Sequence, residues 1–466
     1  MSGGHRRRNW GAIGSVAVLL SLMGALARAG APTPFAPPQA SDLVLYRDGV
    51  LIDGTGAPAR PHMDVLVAGQ RILRVFPDAA APPEAAQAKQ VDLHGQYLMP
   101  GLIDSHVHLA TPPNRRQAEA ILRRDLYGGV TAVRDMADDL RAVGDLARAS
   151  RVGEIAGPDV YYAALMAGPD FFTDPRTAQT TAGGLPGQVP WMQAVTGHTD
   201  LALAVARAAG TSATAIKLYA DLDPALAGKI TAEAHRQHLL VWSHATLFPA
   251  RPSEVVAAGV DAISHACLLV REPDRHVPRW TEPRHTVALD RFRAGDDPVL
   301  ARLFTLMAAR GVILDATVWT YGAAPVAGPS STPPLTPGGC DDIVGGAITG
   351  QAYRAGVQVA AGTDNVAPST DPWPDLFHEL SELVDRAGMP PSAVIRSATL
   401  VGARAAGQER DMGSLEPGKL ANMIVLTKNP LTAVENLKSM VMTVKRGRIF
   451  LRKDLVPLQD GDITDF

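Results

Sequence analysis

Eight short apolar runs recur through the middle of this chain, near residues 102–108, 129–135, 159–164, 214–219, 240–245, 261–265, 311–317 and 357–363. Runs of that length, bounded by polar and Gly/Pro-rich stretches, read as strands buried on both faces, which is how parallel strands look. Helical patterns separate several of them, as in Pro224 to His238, Ser253 to Ala258 and Pro298 to Arg310. The fourth, fifth and sixth runs start roughly 20–30 residues apart, room for one crossover helix each. Eight such units close a barrel. A doubly wound open sheet is the alternative, but no Gly-rich phosphate turn follows any run. The expected fold class is therefore α/β, a (β/α)8 TIM-like barrel over residues 98–406.

The flanks have another texture. Leu43-Val44-Leu45-Tyr46, Asp64-Val65-Leu66-Val67 and Arg71-Ile72-Leu73-Arg74-Val75 are short strands, with Asp53-Gly54 and Gly69-Gln70 as turns. Strand-like segments return at Asn422-Met423-Ile424-Val425-Leu426 and Met440-Val441-Met442-Thr443-Val444, with a turn at Arg446-Gly447-Arg448. Residues 42–97 and 407–456 are expected to pair into one small composite β-sandwich, leaving 457–466 as a tail. Long connections at 166–200, 268–296 and 319–345 are rich in Pro, Gly and charge, and read as substrate-facing walls at the barrel mouth.

Arg6, Arg7 and Arg8 precede an apolar stretch from Trp10 to Leu26, and Ala27-Arg28-Ala29 offers small residues for cleavage. That is the layout of a signal peptide over residues 1–29, followed by an Ala/Pro linker at 30–41. Twin-arginine export and an uncleaved anchor are the alternatives. Cleavage would leave no stable membrane anchor and an exported protein, periplasmic or secreted. Cys267 and Cys340 are the only cysteines; both reduced and a bridge between them are open readings. Two cysteines exclude a disulfide scaffold and a thiolate metal cage. A net charge of -3 and 5% aromatics argue against nucleic acid as partner. A small-molecule substrate is expected, and a homo-oligomer is compatible with the sequence.

Polar residues with chemistry close several of the apolar runs. His106 and His108 alternate on the first, so both side chains point the same way and can grip one ion. Asp104, two residues earlier, is expected on that face to orient a ligand. Lys217 sits inside Thr-Ala-Ile-Lys-Leu-Tyr, a costly place for a charge. An ion pair or a snorkelling stem would explain it. So would a neutral amine, its pKa depressed by burial, that reacts with carbon dioxide to give an anionic carbamate ligand. His244 and His265 end the fifth and sixth runs. Asp364 follows Val-Ala-Ala-Gly-Thr, with Gly362 permitting close backbone approach; it can bind metal, move a proton, or cap the next loop. His198 in a long loop and Tyr219, on the same face as Lys217, are candidate substrate contacts.

These residues sit in a series of segments: Pro100-Gly101-Leu102-Ile103-Asp104-Ser105-His106-Val107-His108, Gly129-Val130-Thr131-Ala132-Val133-Arg134-Asp135, Ile216-Lys217-Leu218-Tyr219, His244-Ala245, Ser264-His265-Ala266, Gly362-Thr363-Asp364, and Gly413-Ser414-Leu415-Glu416-Pro417-Gly418-Lys419-Leu420-Ala421-Asn422. In that order they resemble the amidohydrolase superfamily, in particular its two-metal branch of prolidase-like and imidazolonepropionase-like proteins. The resemblance implies a barrel with a composite sandwich and two divalent ions, often zinc. It implies that His106, His108 and Asp364 hold one ion and His244 and His265 the other, with Lys217 bridging them as N6-carboxylysine. Asn422, where relatives often carry Asp, and Thr246-Leu247-Phe248, where prolidase-like members are more polar, are departures. The expected activity is hydrolysis of an amide or peptide-like carbon–nitrogen bond by a hydroxide held between two ions. Asp364 would be the catalytic proton carrier, with dipeptides or N-acyl amino acids as substrates. Lactone or ester hydrolysis, deamination on the same barrel, and a catalytically silent binding scaffold are the alternatives.

Overall fold

The computed structural model describes residues 37–323, 340–364 and 370–463. The signal segment 1–29, most of the linker and the middle of the 319–345 connection lie outside the described residues. Among the described residues no helix is long and apolar enough to cross a membrane.

Eight parallel strands form the barrel: Leu102–Val107, Val130–Asp135, Asp159–Ala167, Ala215–Leu218, Leu240–His244, Ala262–Ser264, Ile313–Asp315 and Val359–Ala360. Each pairs with the next in parallel register. Two backbone bonds join the last strand to the first, Ser105 N to Ala361 O at 2.8 Å and Asp364 N to His106 O at 2.9 Å. Every residue of the first, second, third, fourth and sixth strands is buried, which is why the sequence shows unbroken apolar runs rather than alternation. Ile103, Tyr161, Trp242 and Ile313 are among the side chains that plug the interior.

Helices pack outside, and Pro298–Arg310 shows why they form where they do. Asp297 accepts from Val299 N and Leu300 N as N-cap, Pro298 opens the first turn, and Gly311 ends the helix in the left-handed region. Leu300, Leu303, Phe304 and Met307 fall at i, i+3, i+4 and i+7 and are all buried. Truncating Phe304 to Ala would cost about 3–5 kcal/mol.

The two flanks share one mixed sheet. Met423–Leu426, Met440–Lys445 and Arg448–Leu451 join Tyr97–Pro100, which continues through Leu43–Leu51 and Arg60–Ala68 to Arg71–Pro77. The boundary expected at residue 98 therefore shifts. Tyr97–Pro100 stays in the sheet because Met423–Leu426 pairs with it. Residues near the two ends of the sheet, Ile72 and Val444, belong to one core cluster, so the sheet curls on itself as a small sandwich would. The hairpin turns of the two flanks meet, and a Cβ on Gly447 would lie 2.0 Å from Gly69 O. Asn422 Oδ1 holds that turn by accepting from Arg446 N at 2.8 Å.

The connection 166–200 is not plain loop. It contains the helix Pro175–Thr180 and a short hairpin, Gln188–Val189 with Met192–Ala194, the latter pairing alongside the third barrel strand.

Candidate active site

The six polar residues singled out in the sequence meet at the carboxyl end of the barrel. His106 Nδ1 lies 2.7 Å from Asp315 Oδ2, and His108 Nδ1 lies 2.7 Å from Asp138 Oδ1. A carboxylate at Nδ1 holds the proton there, so each ring turns its Nε2 lone pair inward. Both Nε2 atoms face the same oxygen, Asp364 Oδ1, at 3.3 Å and 3.4 Å. Tetrahedral ligands with bonds of ~2.0–2.1 Å to one ion are spaced by about that much. The other oxygen of Asp364 is 3.7 Å from His265 Nδ1. Ring centroids put His265 4.9 Å from His106 and 4.8 Å from His244.

Lys217 is wholly buried, and Nζ donates to Ser264 Oγ at 3.1 Å. Ser264 donates on to Asp315 Oδ2 at 2.9 Å. No carboxylate among the described residues stands within ion-pair distance of Nζ, so neither snorkelling nor a salt bridge accounts for this lysine. Burial is the main reason its pKa is pulled down to about 7, with Arg134 pushing the same way.

The fields on the imidazoles differ. Burial drives His265 down to about 3 and His244 well below its ordinary value, so both are neutral and keep a lone pair. Burial opposes charge on His108 too, but Asp138 and Asp364 outweigh it and raise its pKa. Asp364 is held far below the usual carboxylate range: burial works against this, and the surrounding imidazoles overcome it. His244 Nδ1 is buried with no hydrogen-bond partner. An orphaned lone pair beside two converging Nε2 atoms, a carboxylate and a neutral amine is a donor set that suits divalent ions, and the residues present fit them.

Backbone geometry serves this placement. His265, Thr317 and Asp364, each just beyond a strand end, all adopt positive φ, at 77°, 49° and 49°, conformations that non-glycine residues hold only where the surroundings impose them. Gly362 is obligatory, since a Cβ there would come 2.4 Å from Asp315 Oδ1 and 2.7 Å from His106 Cβ.

Two expectations need correcting. Asp104 makes no hydrogen bond to either imidazole. Its carboxylate instead accepts from His106 N, Thr363 N and Thr363 Oγ1, tying the first strand to the last, and burial pushes it up to about 8. His198 lies exposed in the turn Thr196–Thr199, and no contact joins its ring to the cluster. Tyr219 is at the site, its ring 4.0 Å from His244 and 4.5 Å from Phe171.

Several residues that the sequence reading passed over matter here. Asp315 binds His106, Ser264 and Arg134, and Arg134, fully buried, also donates to Ser105 O and Ala405 O. Asp138 holds His108, and Thr317 Oγ1 lies 3.0 Å from His265 Nδ1. Cys267, two residues past His265, is disulfide-bonded to Cys340, with Cα atoms 6.0 Å apart. The bridge pins the segment after the sixth strand to the helix Asp342–Arg354 that follows Cys340.

A closed parallel barrel with convergent imidazoles, amine and carboxylate at its carboxyl rim is a barrel with a candidate ion-binding centre. Residues 347–450 match the model of the amidohydrolase family. A 5-methylthioadenosine/S-adenosylhomocysteine deaminase from Teredinibacter turnerae is 27% identical over 408 residues, covering 80% of this chain and 83% of that protein. Among solved structures, a Xaa-Pro dipeptidase with bound methionine superposes with a TM-score of 0.68 at 20% identity, over 88% of this chain and 100% of that one. A putative prolidase from Bifidobacterium longum gives 0.63 at 24% identity, over 91% and 98%. The chain is thus similar to amidohydrolases, by the family model over residues 347–450 and by a barrel of the same fold, and is a hydrolytic enzyme.

Proposed function

We propose that this enzyme cleaves an amide or peptide-like carbon–nitrogen bond with the help of two divalent ions. The observation that carries the reading is Lys217, an amine buried without an ion-pair partner in the neighbourhood of His106, His244, His265 and Asp364. Carboxylated by carbon dioxide, it would supply an anionic ligand shared by both ions; His106, His108 and Asp364 would hold one of them, and His244 and His265 the other. Bound there, the ions, with zinc well matched to such an imidazole-rich set, would lower the pKa of a water and polarise the substrate carbonyl.

The chain's own groups do the rest. Asp315 and Asp138 fix the imidazole tautomers. Asp364 takes the proton released by the attacking water and delivers it to the departing nitrogen, so that the carbon–nitrogen bond breaks as a neutral amine leaves. Tyr219 hydrogen-bonds the carbonyl oxygen from its place against His244. Phe171, which packs on Tyr219 and on Trp280, offers an apolar wall beside it. The Arg176 guanidinium, 6.0 Å from the Tyr219 ring, gives Nε and Nη2 to Asp174, which leaves Nη1 for a substrate carboxylate. Dipeptides and N-acyl amino acids meet both demands.

Deamination is the second reading, favoured by the Teredinibacter relative. Assay of the metal-loaded enzyme against dipeptides, N-acyl amino acids, cyclic imides, lactones and amino-purine nucleosides separates the two. Release of a carboxylate and an amine supports amide hydrolysis; turnover confined to ammonia release from the nucleosides overturns it. We also propose that the protein works outside the cytoplasm, a reading supported by the Cys267–Cys340 bridge. Recovery of the mature chain only from the cytosolic fraction would contradict this.

A further inference from the structure

We propose that a groove at the end of the barrel opposite the catalytic cluster binds a small organic anion, a carboxylate or phosphate group on a short apolar body. The groove has a volume of ≈ 310 Å³ and opens where the eighth strand begins, at Val357–Val359, between Tyr353 and the helix Pro391–Arg396. Asp364, at the other end of that strand, belongs to the catalytic cluster.

What distinguishes the groove is its chemistry. Tyr353, Ser392, Ser397 and Arg396 line it, and none of their side-chain polar atoms has a hydrogen-bond or ion-pair partner among the described residues. Ser397 is only 2% exposed as a residue, and its hydroxyl, bonded to no other described side chain or backbone group, faces the groove. Gln358 also lines the groove; its Oε1 accepts from Arg404 Nη1 at 2.6 Å, which leaves the amide nitrogen as a further donor. No aspartate or glutamate lines the wall. A guanidinium, an amide nitrogen and three hydroxyls that can all donate, with no acid to answer them, are complementary to an oxyanion. Burial first, and then the neighbouring Arg404, lowers the Arg396 pKa, as befits a cation lacking a counter-ion. Met389, Val357 and Val401 supply the apolar part of the wall.

The groove is tied to the strand that carries Asp364. Ser397 opens a π-helical turn, Ser397–Val401, a form frequent at functional sites. Ala361 N donates to Ser397 O at 3.5 Å, three residues before Asp364.

Calorimetric titration of the metal-loaded enzyme with inorganic phosphate and with butyrate, at constant ionic strength in chloride, tests the site. The wild type is expected to bind at least one of them saturably. Arg396→Gln should weaken that binding by roughly tenfold or more, and Ser397→Ala by several-fold. Neither change should alter turnover in the absence of the anion. Stronger binding of butyrate would identify a carboxylate ligand, stronger binding of phosphate a phosphorylated one. Absence of binding to the wild type, or isotherms unchanged in both variants, would overturn the proposal. Should Arg396→Gln fail to fold, Ser397→Ala decides alone.

Discussion

The two halves of the histidine cluster are built differently. His106 and His108 each rest Nδ1 on a buried carboxylate, Asp315 or Asp138, at 2.7 Å. His265 Nδ1 has the Thr317 hydroxyl at 3.0 Å, with Asp364 Oδ2 no nearer than 3.7 Å, and His244 Nδ1 has no hydrogen-bond partner. The first half is thus aimed by the protein itself, its lone pairs converging on Asp364 whether or not an ion is present. The second is aimed by packing against Tyr219 and by the bond it has yet to make. A buried nitrogen without a partner costs about 1–3 kcal/mol, which coordination would remove. The first ion should therefore bind to a ready site, and the second should depend on Lys217.

The largest expected effect falls on the residue both halves share. Asp364→Asn should reduce kcat by at least ~100-fold in steady-state assay, because the proton carrier is lost; near-normal turnover would remove Asp364 from proton transfer. Next comes the contrast itself. Asp138→Asn should weaken binding of the first ion by roughly 10–100-fold in a chelator competition titration. Thr317→Val, which leaves His265 otherwise packed, should cost less than Asp138→Asn. Equal losses would break the distinction between the halves. A third expectation concerns pH. Only the neutral Lys217 amine can take up carbon dioxide, and its pKa is held down to about 7. Reactivation of metal-stripped enzyme by zinc and bicarbonate should therefore slow as pH falls through about 7 and level off above it. A rate independent of pH between 6 and 8 would argue against the carbamate. The smallest effect on activity is expected from Cys340→Ser. Opening a bridge that spans 73 residues should cost ~2–4 kcal/mol in denaturant unfolding while leaving most of kcat intact.

How the site was encoded explains what could be read from the chain alone. The eight strands were visible because burial on both faces leaves each as an apolar run, and a polar residue closing such a run stands out. By that rule His244, His265 and Asp364 declared themselves. Asp315 obeys the same rule, closing Val312-Ile313-Leu314, yet an aspartate before a loop also reads as an ordinary cap. Asp138 carries no such mark, because it sits three residues past its strand and reaches His108 only through the fold. Asp104 misled for a related reason: it touches His106 through the backbone N and not the ring, a choice of partner that leaves no trace in residue type. His198 had only its loop to recommend it. At the flanks, Tyr97–Pro100 runs directly into the first barrel strand, and only its pairing with Met423–Leu426, more than 300 residues away, assigns it to the sheet.

The proposed mechanism requires that Lys217, once carboxylated, be shared by two ions. Metal analysis of folded, zinc-reconstituted enzyme in bicarbonate, beside Lys217→Ala prepared the same way, addresses that most directly. Near two ions per chain are expected in the wild type, falling to one or fewer when Lys217 is replaced, with the His106 half keeping what remains. A single ion in the wild type, or the same content in both proteins, would contradict it.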